Sequence, residues 1–126
     1  MTDIPDRIRE LQEPMLKKRL YVVFYELIRP VEEMVSRLPD HLDYMIGLEQ
    51  RGAVFASGPF LNEAGGAPGR GMTVLRAESE EEAEALAQGD PLCKAGIRTY
   101  EVVAWQIMEG SFSVRINYSD GTYEFD

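Results

Sequence analysis

The chain has 126 residues, 44% of them hydrophobic and 28% charged, which suits one globular domain with one core and excludes wholesale disorder. Thirteen Lys and Arg against twenty-two Asp and Glu leave a net charge of -9, which repels phosphate backbones and anionic membrane surfaces, so nucleic acid and membranes are poor partners. The lone Cys93 has no internal disulfide partner, the charged start MTDIPDRIRE lacks a signal segment, and apolar runs such as Tyr21 to Tyr25 are far too short to span a bilayer. These features point to a reducing, cytoplasmic setting.

Residues 1–19 read as an N-terminal arm, in which Ile4, Ile8, Leu11 and Met15 form one weak helical face bounded by Pro5 and Pro14. Leu20 to Leu27 (LYVVFYEL) is aromatic and β-branched, and predicts a buried first strand. From Val31 the apolar positions Met34, Val35, Leu38, Leu42 and Met45 recur at helical spacing. Pro39 interrupts them, which predicts a kink there or a helix that starts near Pro39.

Gly52 reads as the helix cap, Ala53 to Phe60 as a second strand, and the glycine-rich Asn62 to Gly71 as a connection whose stretch Gly65 to Gly71 is a mobile lid or plain loop. Met72 to Ala77 predicts a third strand. Ser79 with Glu82 is a capping box opening a helix over Glu80 to Gln88, which Gly89-Asp90-Pro91 stops. After a short turn, Arg98 to Met108 predicts a fourth strand, and alternation on either side of Asp120-Gly121 predicts a terminal hairpin. The order βαββαβ predicts an α+β, ferredoxin-like split βαβ sheet over residues 20–110 with both helices on one face. Residues 111–126 extend that domain as a C-terminal β-hairpin, and the other face of the sheet is expected to be covered by a second copy of the chain.

His41 is the only histidine, and imidazole is the side chain whose ordinary titration lies nearest neutrality. On a helical wheel it falls about 60° from the centre of the apolar stripe, at the boundary between buried and wet. If Pro39 opens the helix, His41 lies in its first turn, where the dipole favours the neutral base. The plainer reading is a boundary histidine that only caps or packs. Asp90, held between a glycine and a proline, can orient that imidazole or be a simple turn residue.

Ser57, in Ala-Ser-Gly-Pro, offers a hydroxyl toward the end of the second strand, or is simply a small residue permitting close packing. No Gly-x-Ser-x-Gly elbow surrounds it, which argues against a hydrolase triad. Arg70 can meet an anionic substrate from the glycine-rich loop or be merely solvated. That loop lacks the Lys-Ser/Thr ending of a phosphate loop. With one His and one Cys the usual zinc sets cannot form, and nothing beyond His41 calls for haem, so no metal or cofactor is expected.

His41-Leu42-x-Tyr44-Met45, Arg51-Gly52, Ala56-Ser57-Gly58-Pro59, Glu82-Ala83 and Asp90-Pro91, in that order, make the stretch from Leu20 to Met108 resemble the YCII-related family. The resemblance implies a dimeric α+β barrel built from two ferredoxin-like domains, with an active site around His41 and Asp90, assisted by Ser57. Some related proteins remove chloride from chlorinated hydroxyquinols, and muconolactone isomerases share a similar fold. The resulting expectation is a cofactor-free lyase or isomerase acting on a small polar or aromatic molecule, with Arg70 and Tyr44 contacting substrate. The alternative is a noncatalytic dimeric domain that binds a small molecule.

Overall fold

The computed structural model describes residues 3–66 and 69–126, so Ala67 and Pro68 of the glycine-rich connection lie outside the described residues, as does that part of the expected lid. The chain clusters into two compact units, Arg19–Trp105 and a second that joins the segment up to Lys18 with Gln106–Asp126. The terminal hairpin therefore groups with the N-terminal segment, where the Leu16 amide donates to the Met108 carbonyl.

In the second unit, α1 (Ile4–Gln12) starts at Asp3, whose carboxylate accepts from the Asp6 amide, and has Pro5 in its first turn, where a missing N–H costs nothing. None of its residues is buried. Two three-residue strands, Val114–Ile116 and Tyr123–Phe125, pair antiparallel about a turn in which Gly121 takes φ 71°.

The larger unit carries β1 (Lys18–Leu27), α2 (Val31–Gln50), β2 (Val54–Pro59), β3 (Gly71–Leu75), α3 (Glu80–Gln88), the four-residue helix α4 (Pro91–Lys94) and β4 (Arg98–Ile107). Its sheet runs in the order β2-β3-β1-β4, with β3 antiparallel to both β1 and β2. The architecture is mixed α+β. Alternate residues Tyr21, Val23 and Tyr25 of β1 join Leu75 of β3 in a core that Ala83 and Ala87 of α3 and Cys93 of α4 close. Each fully buried Leu or Val here contributes about 1.5–3 kcal/mol, and the two alanines, one turn apart, let α3 approach the sheet closely.

The capping box forms: Ser79 Oγ accepts from the Glu82 amide at 3.1 Å, and the Glu82 carboxylate accepts from the Glu78 amide at 3.0 Å. Of the two outcomes expected at Pro39, a helix start is not what forms. α2 runs unbroken through it, so no helix starts near Pro39, and His41 lies in mid-helix without the first-turn dipole proposed for it. A proline removes the hydrogen bond to the carbonyl four residues back, that of Val35, and Val35 is exposed, so water can take the place of the missing donor.

The helix is also rotated from the expected stripe. Met34, Leu38, His41, Tyr44, Met45 and Leu48 turn inward, Leu42 is half-exposed, and Val31 and Val35 face away. His41 thus sits within the inward face and not at its margin.

Candidate active site

The site begins at the turn between α3 and α4. Gly89 caps α3, and Asp90 is the N-cap of α4, its Oδ1 accepting from the Leu92 amide at 2.9 Å while Pro91 fills the first helical position. A side chain fixed by its own backbone in this way has little freedom left, and Asp90 is fully buried. Two more donors reach it from other elements: His41 Nδ1 at 2.8 Å from Oδ2 and 3.0 Å from Oδ1, and Arg98 Nη2 at 3.0 Å from Oδ2. Burial alone raises a carboxyl group, but the bond and charge of His41, the Leu92 amide and Arg98 together outweigh it, and Asp90 is held below its ordinary value.

An ionised carboxylate only accepts, so the proton of a neutral His41 ring belongs on Nδ1 and the lone pair on Nε2. His41 lines a cavity of about 420 Å³ between α2 and the sheet, walled on the helix side by Met34, Leu38, Leu42 and Met45. The imidazole therefore has one nitrogen committed to a buried anion and one left for a ligand.

Ser57 reaches the same cavity through an irregularity in β2. Val54 pairs with Leu75, but Ala56 pairs with Val74, leaving Phe55 as an extra residue. Without that bulge Ser57 would stand opposite Met72 on the far face; with it, Ser57 stands opposite Thr73 and shares the helix-covered face. Its Oγ lies 2.7 Å from Thr73 Oγ1. Thr73 is buried and also contacts Tyr25, whose hydroxyl burial pushes up to about 12 against that contact. Tyr25 is thus a protonated donor across the neutral range.

Arg70 lines the cavity as an exposed side chain with its guanidinium 5.9 Å from the Phe60 ring centre. It follows Gly69, which takes φ 89° and lies so close against Leu27 that an added Cβ would collide with it. Tyr44 is placed elsewhere: its hydroxyl donates to the Leu86 carbonyl at 2.7 Å, joining α2 to α3, and it is not among the residues lining the cavity.

Three cavity residues were not singled out from the sequence: Arg98, Tyr25 and Thr73. Arg98 opens β4, and is named above only as the first residue of that strand. The alternation that puts Tyr100 and Val102 on the core also puts Arg98 there, and its guanidinium stacks 4.0 Å from the centre of the Tyr25 ring. Thr73 and Tyr25 were legible in the same way, as inward positions beside Leu75 and Val23. Cys93 is buried nearby, and burial together with Asp90 pushes its thiol up to about 11, which leaves it a packed thiol and no nucleophile.

Among the described residues no group of three or more His, Cys, Asp or Glu is gathered as metal ligands, and no helix is long and apolar enough to cross a membrane. The comparisons with known proteins bear on the same stretch of chain. No curated protein matches it. A solved structure of 5-chloro-2-hydroxyhydroquinone dehydrochlorinase from Burkholderia phenoliruptrix AC1100, in complex with 2,5-dihydroxybenzoquinone, is similar at a TM-score of 0.57 and 24% identity, covering 68% of this chain and 92% of that one. That likeness concerns the fold. The family model of the YCII-related domain matches residues 20–106, which hold every cavity residue named above, and the chain belongs to the YCII-related family.

Proposed function

We propose that the chain is a cofactor-free lyase or isomerase that moves a proton on a small polar or aromatic molecule. The observation that carries this reading is the contact of His41 Nδ1 with a fully buried, charge-balanced Asp90 at the wall of a ligand-sized cavity. In it, His41 Nε2 takes a proton from a carbon or hydroxyl activated by a carbonyl or aromatic ring. The electron pair left behind enters the π system. It then expels a leaving group as its anion, or is reprotonated at another carbon by the same imidazolium. Asp90 holds the ring and stabilises its charge, and Ser57 donates to a substrate oxygen.

The similarity to a dehydrochlorinase that acts on a chlorinated hydroxyhydroquinone supports a substrate of this general size and type. The same reading includes a ferredoxin-like domain that pairs through the exposed sheet face bearing Phe24, Val103 and Trp105 into a homodimeric α+β barrel, working in a cytoplasmic setting. Light scattering on the purified chain tests the dimer.

The reaction is tested by proton NMR in D2O with a panel of small enolisable ketones and dihydroxyphenols. Wild type is expected to accelerate deuterium uptake into at least one of them, and His41→Ala to lower that rate by about 10²-fold or more. Equal rates in the two proteins would refute His41 as the base, and no acceleration by wild type would remove the catalytic reading.

A further inference from the structure

Among the described residues no acidic side chain lines the cavity, although the chain has twenty-two Asp and Glu, and two arginines do. Arg98 is the deeper one, with a side chain 9% exposed, and Arg70 is the exposed one. The Asp90–Arg98 pair cancels in charge, so the wall with a neutral His41 carries one net positive charge, that of Arg70.

Arg98 is also incompletely used. A guanidinium has five N–H donors, and among the described residues its one hydrogen bond to an oxygen runs from Nη2 to Asp90 Oδ2 at 3.0 Å, with the Cys93 thiol as a weak neighbour. Its Nε is buried without one. A nine-tenths-buried guanidinium normally satisfies its donors, because an unpaired buried donor costs most of its lost hydration. The buried Nε is closed off, but the rest of the side chain keeps 9% exposure and lines the cavity, where a ligand oxygen can take the donors that Asp90 leaves free.

We infer that the cavity takes a small organic anion, with Arg98 receiving the charged oxygen and Arg70 supplying the net positive charge that draws it in. The oxygen belongs to a carboxylate or to a phenolate or enolate; both are planar, delocalised acceptors for a guanidinium. The inference deepens the proposed function and rests on its reading of the cavity as the working site. In that reaction, the negative charge that develops when His41 takes a proton would form beside Arg98, which makes Arg98 a substrate-binding residue as well as a support for Asp90.

The test uses two matched pairs of probes that differ in charge and little in shape: benzoate against benzamide, and 4-nitrophenolate against 4-nitroanisole. Each is titrated into the full chain above pH 8, with binding followed by amide shifts of the cavity glycines Gly58, Gly69 and Gly71. At least one anion is expected to bind about tenfold more tightly than its neutral partner. Which pair shows the preference identifies the oxygen.

Because Arg98→Gln strands the buried Asp90 and puts folding at risk, the exposed Arg70→Gln is the second variant; it is expected to weaken the preferred anion severalfold and leave its neutral partner unmoved. Equal affinities within both pairs, or a preference unchanged by Arg70→Gln and by a folded Arg98→Gln, would overturn the inference. His41→Ala separates the two proposals: anion preference retained there without any wild-type proton exchange refutes the reaction alone, whereas proton exchange with no anion preference refutes this inference alone.

Discussion

Asp90 Oδ2 lies 2.8 Å from His41 Nδ1, and the same oxygen lies 3.0 Å from Arg98 Nη2. The carboxylate is therefore shared between a ring that it orients and a cation that keeps it ionised in a buried place. Removing it strands Arg98 with an uncompensated charge. Asp90→Ala is expected to lower the free energy of unfolding by about 3–5 kcal/mol, read from urea denaturation. A cost below about 1 kcal/mol would mean that the pair does not hold the turn between α3 and α4.

The acid side of the stability profile follows from the same contacts. Asp90 titrates in the folded chain below its ordinary 3.8, so it contributes stability above that value, and the contribution is lost as pH falls through the lowered folded value. Denaturation midpoints measured from pH 6 down to pH 2 are expected to drop for the wild type. Asp90→Asn, where it folds, should show a shallower drop below about pH 4.

On the alkaline side the sign reverses. Tyr25 is raised from 10.0 to about 12, so its contribution is complete below pH 10 and is lost as pH rises through the folded value. At about 1.36 kcal/mol per unit the loss amounts to about 2–3 kcal/mol. Cys93, raised from 9.0 to about 11, adds an earlier loss of the same sign. Tyr25→Phe keeps the ring under Arg98 and is expected to flatten the decline between pH 10 and 12; an identical alkaline slope in the variant would contradict the burial argument.

Gly89 and Tyr44 form a test of the helix packing. A Cβ at Gly89 would run into the Tyr44 hydroxyl, which the Leu86 carbonyl holds in place. Gly89→Ala is expected to cost about 1–3 kcal/mol through overpacking, and Tyr44→Phe about 1 kcal/mol through the lost bond. The double variant should cost less than the sum, because Phe removes the atom in the way. Strict additivity in thermal or urea unfolding would show that the two do not meet.

Much of this was legible in the sequence where local rules and tertiary packing agree. The capping box at Ser79, the strand from Leu20 and the turn at Asp120-Gly121 each depend on neighbours a few residues away. Pro39 misled because the penalty of a helix proline depends on whether water reaches the orphaned carbonyl, and this cannot be seen in a linear pattern. The rotation of α2 was hidden for a related reason: Val31 and Val35 are as apolar as Met34 and Leu38, and only the sheet beneath decides which of them turn inward.

The candidate site divides in the same way. His41 stood out by being unique, and Asp90 by its place between Gly89 and Pro91, and the two meet. Ser57 faces the cavity because of a bulge at Phe55, which shifts the pairing by one and leaves no compositional trace. Arg98 was missed because only the alternation of β4, which aims it at the core with Tyr100 and Val102, separates it from a solvated strand end.

The uniqueness of His41 also supplies the most direct test of the central claim, since a long-range 1H–15N correlation spectrum of this chain contains one imidazole. Recorded at a pH where the ring is neutral, it is expected to show Nδ1 carrying the hydrogen and Nε2 bare, with the pattern shifting toward a tautomer mixture in Asp90→Asn. A wild-type ring protonated on Nε2 would contradict the account, because the nitrogen assigned to take the proton would already hold one.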